Sequence, residues 1–214
     1  MTDVPWPPSS DGLRRFPRRT LAAGTTIYRL HSRDLNPFWF SSTPTEDTGG
    51  NRFDLEPPRG TSYWALQAVV SILETVARRP VQVIPDPLFS RYSLTSAPLP
   101  HDLADIANLP VQAARRFGLT AEIHTTSNRL LTRAWAQRLA DAGYTAILAF
   151  PRHDVTARHR ALSLWDTRGE HEPYGWTWQP TTGPVPGQLK DALGAWGISV
   201  VPIPFDVDVI DPPT

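Results

Sequence analysis

Between residues 62 and 77 the apolar side chains Ala65, Ala68, Val69, Ile72 and Val76 recur at intervals of three and four. That is the period of an amphipathic helix, and it commits the chain to a partner layer on which one apolar stripe can rest. At about 100° per residue, Glu74 falls roughly opposite the stripe, near Gln67, Val70 and Ser71, where it can face a cleft. The partner layer is supplied by short runs of strand character. Residues 25–31 combine β-branched and aromatic side chains and put Ile27, Arg29 and His31 on one face of a strand. Further strands are expected at 81–84, 91–95, 145–150, 161–166 and 198–205. Helical stretches are expected at 101–109, at 111–117 closed by Gly118, at 128–142 and at 188–196. In 128–142, Leu131, Trp135, Leu139 and Ala142 form one apolar face that ends at Gly143. Strands and helices segregate without a regular βαβ alternation, which specifies the α+β class. No internal repeat is present.

A chain of 214 residues carries one sizeable core without requiring a second domain. Residues 1–20 read as an extended N-terminal arm, dispensable for chemistry, because Pro5, Pro7, Pro8 and Pro17 deny helical hydrogen bonds while Ser9, Ser10 and Gly12 add slack. Residues 21–214 read as the single domain. From Ser32 to Gly60 the sequence is rich in Pro, Gly, Asn and aromatics, the composition of a long ordered loop that carries function. Residues 173–186, with Trp176 and Trp178, read as a surface stretch.

Several function classes lose ground. The 21 basic and 21 acidic residues cancel, so no global field draws the chain to nucleic acid or to an acidic membrane surface. There is no cysteine, which removes disulfides, thiolate nucleophiles and zinc knuckles and fits a reducing compartment. Lys190 is the single lysine against twenty arginines, so a phosphate-loop lysine or a Schiff base has one candidate. No secretory apolar run and no membrane-spanning segment is evident, and the expected location is the cytoplasm. There is no G-x-G-x-x-G, phosphate-binding loop, G-x-S-x-G or H-E-x-x-H pattern. His153 and His159 are near neighbours in an Arg-rich loop, which reads as a solvated turn before it reads as a metal site.

What remains is a strand arginine, an aromatic Gly-rich loop and a glutamate on the polar side of an apolar helix. Each has an ordinary structural reading. Arg29 pairs with a carboxylate, Arg52 staples its loop, Glu74 is a wet helix face, and Ser127 is the N-cap of the helix that follows it.

Taken in order, Tyr28-Arg29-Leu30, then Gly49-Gly50-Asn51-Arg52-Phe53 with Pro57-Pro58, then Tyr63-Trp64-Ala65 running into Glu74, the pattern resembles the RES-domain family. Ala134-Trp135-Ala136 through Gly143-Tyr144 and Ala146-Ile147 continues the resemblance, which covers about residues 25–170. The arginine, glutamate and serine that name the family fall on Arg29, Glu74 and Ser127. Tyr28, Arg52, Phe53 and Tyr63 match further pocket positions. Asn51 interrupts the family's Gly-Gly-Arg-aromatic run, and Thr125, Thr126 and Ser127 offer three hydroxyls where the family has one, the choice of Ser127 resting on its distance from Gly143.

The resemblance implies an ADP-ribosyltransferase-like fold, a central mixed or antiparallel sheet with flanking helices, acting on NAD as substrate without a metal. Breaking the nicotinamide–ribose bond creates an oxocarbenium-like cation that a carboxylate, here Glu74, stabilises. Arg29 and Arg52 would clamp the pyrophosphate, Tyr63 would stack on the nicotinamide, and Ser127 would orient the ribose or Glu74. Three outcomes are open. The acceptor is water or phosphate and NAD is depleted, ADP-ribose passes to a protein, or the domain is catalytically silent and docks a protein through Trp176 and Trp178. The resemblance also implies a toxin with a cognate Xre-like antitoxin that blocks the pocket.

Overall fold

The structure is a computed structural model and describes residues 4–76, 82–152 and 154–202. Its strands are β1 (Arg18–Leu21), β2 (Thr26–Ser32), β3 (Trp39–Phe40), β4 (Arg59–Ala65), β5 (Val83–Pro85), β6 (Tyr92–Pro98), β7 (Leu103–Asn108), β8 (Ala146–Ala149), β9 (Ala161–Thr167), β10 (Gly169–Glu170), β11 (Thr181–Gly183) and β12 (Ser199–Val201). The α-helices are α1 (Ser10–Leu13), α2 (Ala68–Val76), α3 (Arg129–Asp141) and α4 (Gly187–Ala192). Eight strands form the main sheet in the order β1-β7-β8-β9-β4-β2-β6-β11. Within it β7 and β8 run parallel, joined through α3, and the other neighbours are antiparallel. This is the expected α+β class with a mixed sheet and flanking helices.

Alternation along the central strands explains why both sheet faces are covered. In β8, Ala146 and Leu148 enter one apolar cluster with Ile27, Trp64, Leu162 and Leu164. Ile147 and Ala149 enter another, formed beneath α3 with Leu131, Trp135 and Leu139. A third cluster sets Ile72 and Leu73 of α2 against Leu30, Ile84, Phe89, Leu193 and Ile198. A strand buried on both faces loses the polar alternation by which strands are read from sequence.

That loss accounts for two corrections. The helix expected over 62–77 is a strand through Ala65 and a helix from Ala68 to Val76, because Ser62, Trp64 and Ala65 are buried in the middle of the sheet between β9 and β2. The helix expected at 101–109 is instead β7, where Leu103, Ile106 and Ala107 are buried. Other elements lie close to expectation. Strand β8 falls within 145–150, β9 covers 161–166, α3 lies within 128–142, and 112–117 forms a 3-10 helix ending at Gly118, whose φ is 86°. Residue 81 of the strand expected at 81–84, residues 203–205 of the one expected at 198–205, and His153 lie outside the described residues.

The N-terminal segment is also corrected. Rather than an extended arm, it contributes β1, which pairs with β7, and it buries Val4, Leu13 and Phe16 in the α3 cluster. Its polar backbone is used as well. Trp135 Nε1 donates to the Pro5 carbonyl at 2.9 Å, and the Tyr144 hydroxyl donates to Leu13 and Phe16 carbonyls at 3.1 and 2.6 Å. Proline barred this segment from a long helix but not from packing. Among the described residues no helix is long and apolar enough to cross a membrane.

Candidate functional site

Strands β2 and β4 share a single registered pair, Tyr28 opposite Ala65. Arg29 to Ser32 on one strand and Tyr63 and Trp64 on the other line a cleft of about 620 Å³, within the roughly 300–1,000 Å³ range of small-molecule sites. The rest of its wall comes from Leu35, Trp39 and Ser41, from Gly50 to Arg52, from Ser71, Glu74 and Thr75 of α2, from Tyr92, Arg129 and Arg152, and from Ala161. Four guanidinium groups therefore face one carboxylate across the cavity, a charge balance suited to an anionic ligand with a site for one developing positive charge.

Arg29 is held firmly. Its Nη1 donates to the Pro37 and Trp39 carbonyls at 2.5 and 3.0 Å and to the Ser62 hydroxyl. Burial pulls its pKa down to about 10, and it stays charged at neutral pH. Arg52 is anchored from its other side, Nη2 donating to the carbonyls of Ile123 and Thr126 at 3.1 Å each. Its Nη1 is buried with no hydrogen-bond partner among the described residues. Burial, and after it the neighbouring Arg129, lowers its pKa to about 10. A buried unsatisfied guanidinium N–H is costly, and an anionic oxygen in the cleft would satisfy it.

Glu74 Oε1 accepts the backbone N–H of Arg152 at 3.0 Å, so the carboxylate is oriented by the loop after β8. Tyr63 donates its hydroxyl to Asp54 Oδ1 at 2.8 Å and accepts the Phe53 N–H at 3.0 Å. Burial, reinforced by Asp54, pushes this phenol well above the usual tyrosine range, and it is neutral. Asp54 itself is buried and also accepts from Ser41 Oγ, Thr43 Oγ1 and Asn51 N at 3.1, 2.7 and 2.8 Å. One carboxylate thus ties residues 41–54 to β4 and holds Arg52 and Tyr63 in the cleft. Nothing in the sequence singled out Asp54. A lone aspartate after an Arg-Phe pair has no spacing signal, and only the turn residues around it hint at an anchor.

Residues 26–179 match the RES domain family model. The chain belongs to the RES-domain family. Among curated proteins none matches the sequence. Among solved structures, one of four matching chains belongs to the crystal structure of the M. tuberculosis MbcT-MbcA toxin–antitoxin complex. It has 16% identity and a TM-score of 0.56, covering 82% of this chain and 92% of that one. At that identity the likeness is one of fold.

Of the residues anticipated for the RES domain, Arg29, Arg52, Tyr63 and Glu74 line the cleft together. The others do not join them. Ser127 is exposed and lies outside the lining, and the N-cap of α3 is Asn128, whose side chain accepts from Leu131 N at 3.0 Å. Phe53 is 4% exposed within the α3 cluster. Tyr28, one step before Arg29 on β2, is absent from the lining. The extra Asn51 does not eject Arg52. Gly50 takes φ +73° and Asn51 N bonds to Asp54, which absorbs the added residue beside Thr43.

The stretch 173–186 is not a display of tryptophans. Trp178 is 4% exposed and donates Nε1 to the Pro173 carbonyl at 3.1 Å, with the Phe38 ring tilted against it at a centroid distance of 5.2 Å. Trp176 is half-buried against it, with ring centroids 5.9 Å apart. These rings cap the core, and the docking role considered for them loses its surface.

Proposed function

We propose that this RES domain cleaves the nicotinamide–ribose bond of NAD. The observation that carries this reading is the unpartnered Nη1 of Arg52 in a cleft where guanidinium groups face Glu74. A dinucleotide pyrophosphate supplies the acceptor oxygens that Arg52 lacks, and bidentate guanidinium contacts fix its position. The bond that breaks is C1′–N. Its electron pair leaves with nicotinamide, and the ribosyl carbon acquires positive charge that the Glu74 carboxylate stabilises. The Arg152 N–H on Oε1 keeps Glu74 aimed, and the Tyr63 ring, fixed at its hydroxyl by Asp54 and Phe53, offers a flat wall for the leaving group. An acceptor, water or phosphate, then adds to C1′. Ser127 is not given a role in this scheme, since it lies outside the lining.

The structural neighbour is part of a toxin–antitoxin complex. By that likeness we assign this chain to the toxin side of such a pair, acting through NAD depletion, with a cognate antitoxin of the Xre-like kind that covers the cleft.

Nicotinamide release from NAD, followed with and without phosphate for the native chain and for Glu74→Gln, tests the reading. Native release that falls on the order of a hundredfold or more in the variant is expected. Release that rises with phosphate identifies phosphorolysis. No release from the native chain, but a mass increment on an added protein mixture, would replace depletion with protein ADP-ribosylation.

A further inference from the structure

Arg133 is the charged side chain of α3 that the fold buries, at 5% exposure, and the cleavage chemistry gives it no part. Among the described residues no carboxylate forms an ion pair with it. Its guanidinium instead donates to two backbone carbonyls of the Gly-rich turn, Nη1 to Gly49 at 2.6 Å and Nη2 to Asp47. Withdrawing a charge from water onto backbone dipoles alone costs stability relative to an apolar side chain of similar length. Stability therefore does not account for an arginine at this place.

The turn that Arg133 holds has little other attachment. Residues 44–50 are all exposed, and their ends are pinned at Thr43 and Asn51, both bonded to Asp54. Within the turn Asp47 Oδ1 accepts Gly49 N at 2.7 Å. Gly50 takes φ +73° hard against Thr43, where a Cβ would stand 2.2 Å from Oγ1. Arg133 restrains this turn from α3. Arg52 makes the reverse connection. It leaves the base of the same turn and donates to the Ile123 and Thr126 carbonyls at 3.1 Å each, just ahead of α3. That segment is locked to the helix, since Thr126 Oγ1 accepts Asn128 N at 3.1 Å and Asn128 is the N-cap. Two guanidinium groups thus cross one interface in opposite directions. Arg52 Nη1, buried without a partner among the described residues, is left where this clasp sets it. An anion contact mounted in advance needs no rearrangement on binding, and preorganisation of that kind raises affinity.

We propose that Arg133 is a positioning residue for the anion site: its hold on Asp47 and Gly49 fixes the turn so that Arg52 meets a pyrophosphate without rearranging. This rests on the reading of Arg52 as the pyrophosphate contact.

ADP-ribose, which carries the pyrophosphate and needs no turnover, is titrated by calorimetry into the native chain, Arg133→Met and Arg133→Lys. Affinity is expected to fall about tenfold in Arg133→Met and to recover in part in Arg133→Lys, whose ammonium keeps one carbonyl. Nicotinamide release is followed on the same proteins. KM for NAD is expected to rise about tenfold in Arg133→Met while kcat stays within about twofold of native. A variant that had only lost folded protein would instead lose kcat at unchanged KM. A cycle with Arg52→Lys shows whether the effect passes through Arg52: in that background Arg133→Met is expected to weaken ADP-ribose by less than about twofold. This binding pattern without nicotinamide release from the native chain removes the cleavage reading and leaves the positioning role. Equal affinity of native and Arg133→Met proteins, absent binding by the native chain, a fall in kcat alone, or an undiminished loss in the Arg52→Lys background overturns it.

Discussion

Asp54 shows how much of this site depends on a residue that is not in the cleft lining. Its carboxylate accepts from side chains and backbone of residues 41, 43, 51 and 63, and it is 2% exposed. Replacing it with alanine strands these donors in a buried place, where each unsatisfied group costs about 1–3 kcal/mol. For Asp54→Ala we expect a loss on the order of 3 kcal/mol in urea unfolding, with weaker nicotinamide release because Arg52 and Tyr63 lose their mount. Asp54→Asn keeps an acceptor oxygen and is expected to recover part of both. Equal stability of Asp54→Ala and the native chain would remove this account. At this scale the resemblance in the sequence picked out Arg29, Arg52, Tyr63 and Glu74, and these four residues meet in one cleft. Tyr28, Phe53 and Ser127, matched to the same pattern, lie outside the lining. A one-residue step along a strand or a turn reverses the side chain, and register is decided by packing that lies far away in the chain.

Among the elements, the N-terminal segment departs furthest from its sequence. Four prolines and a Ser/Gly stretch described a tether, yet β1 closes one edge of the sheet and Phe16 packs on Phe117, Trp135 and Tyr144 with ring centroids 5.0, 6.4 and 6.2 Å apart. Removing residues 1–17 exposes the fully buried Trp135 and leaves its Nε1 without the Pro5 carbonyl. We expect the shortened chain to be destabilised by several kcal/mol, as for loss of a large buried aromatic contact, and to melt well below the native protein by circular dichroism. A melting point within a degree or two of native would restore the tether. Helix α3 was legible to within a residue at each end because its apolar face is one-sided. The stretch 59–65 was not, since a central strand offers no wet face to read, and its last apolar residue, Ala65, falls in phase with the helix that follows.

For the molecule as a whole, the most direct solution property is acid sensitivity. His124 is buried, accepts the Phe150 N–H on Nδ1 at 3.2 Å, and has its pKa lowered to about 3 by burial and then by Arg52 and Arg160. His31 is also lowered, burial being the largest cause. A folded-state pKa below the unfolded value of about 6.5 means the unfolded chain takes up protons first. The stability contributed by keeping these rings neutral is present above about pH 6.5 and is lost as pH falls through their folded-state pKa values, for His124 toward 3. For His124 alone the loss at pH 5 is about 2 kcal/mol. Urea unfolding at pH 7.5 and pH 5 measures it, and His124→Asn, which retains an acceptor for Phe150, is expected to flatten the dependence. An unaltered slope in that variant would assign the acid response elsewhere. The cleft also spans the chain in time as well as in space. Glu74 meets its backbone donor 78 residues later, and Arg52 meets its two carbonyls 71 and 74 residues later. A ribosome adds about 5–20 residues per second, so Arg29, Arg52 and Glu74 wait for seconds in a nascent chain before the segments that complete their pocket emerge. A translation product that stops short of residue 152 holds every charged residue of the motif that names the family, and no assembled pocket.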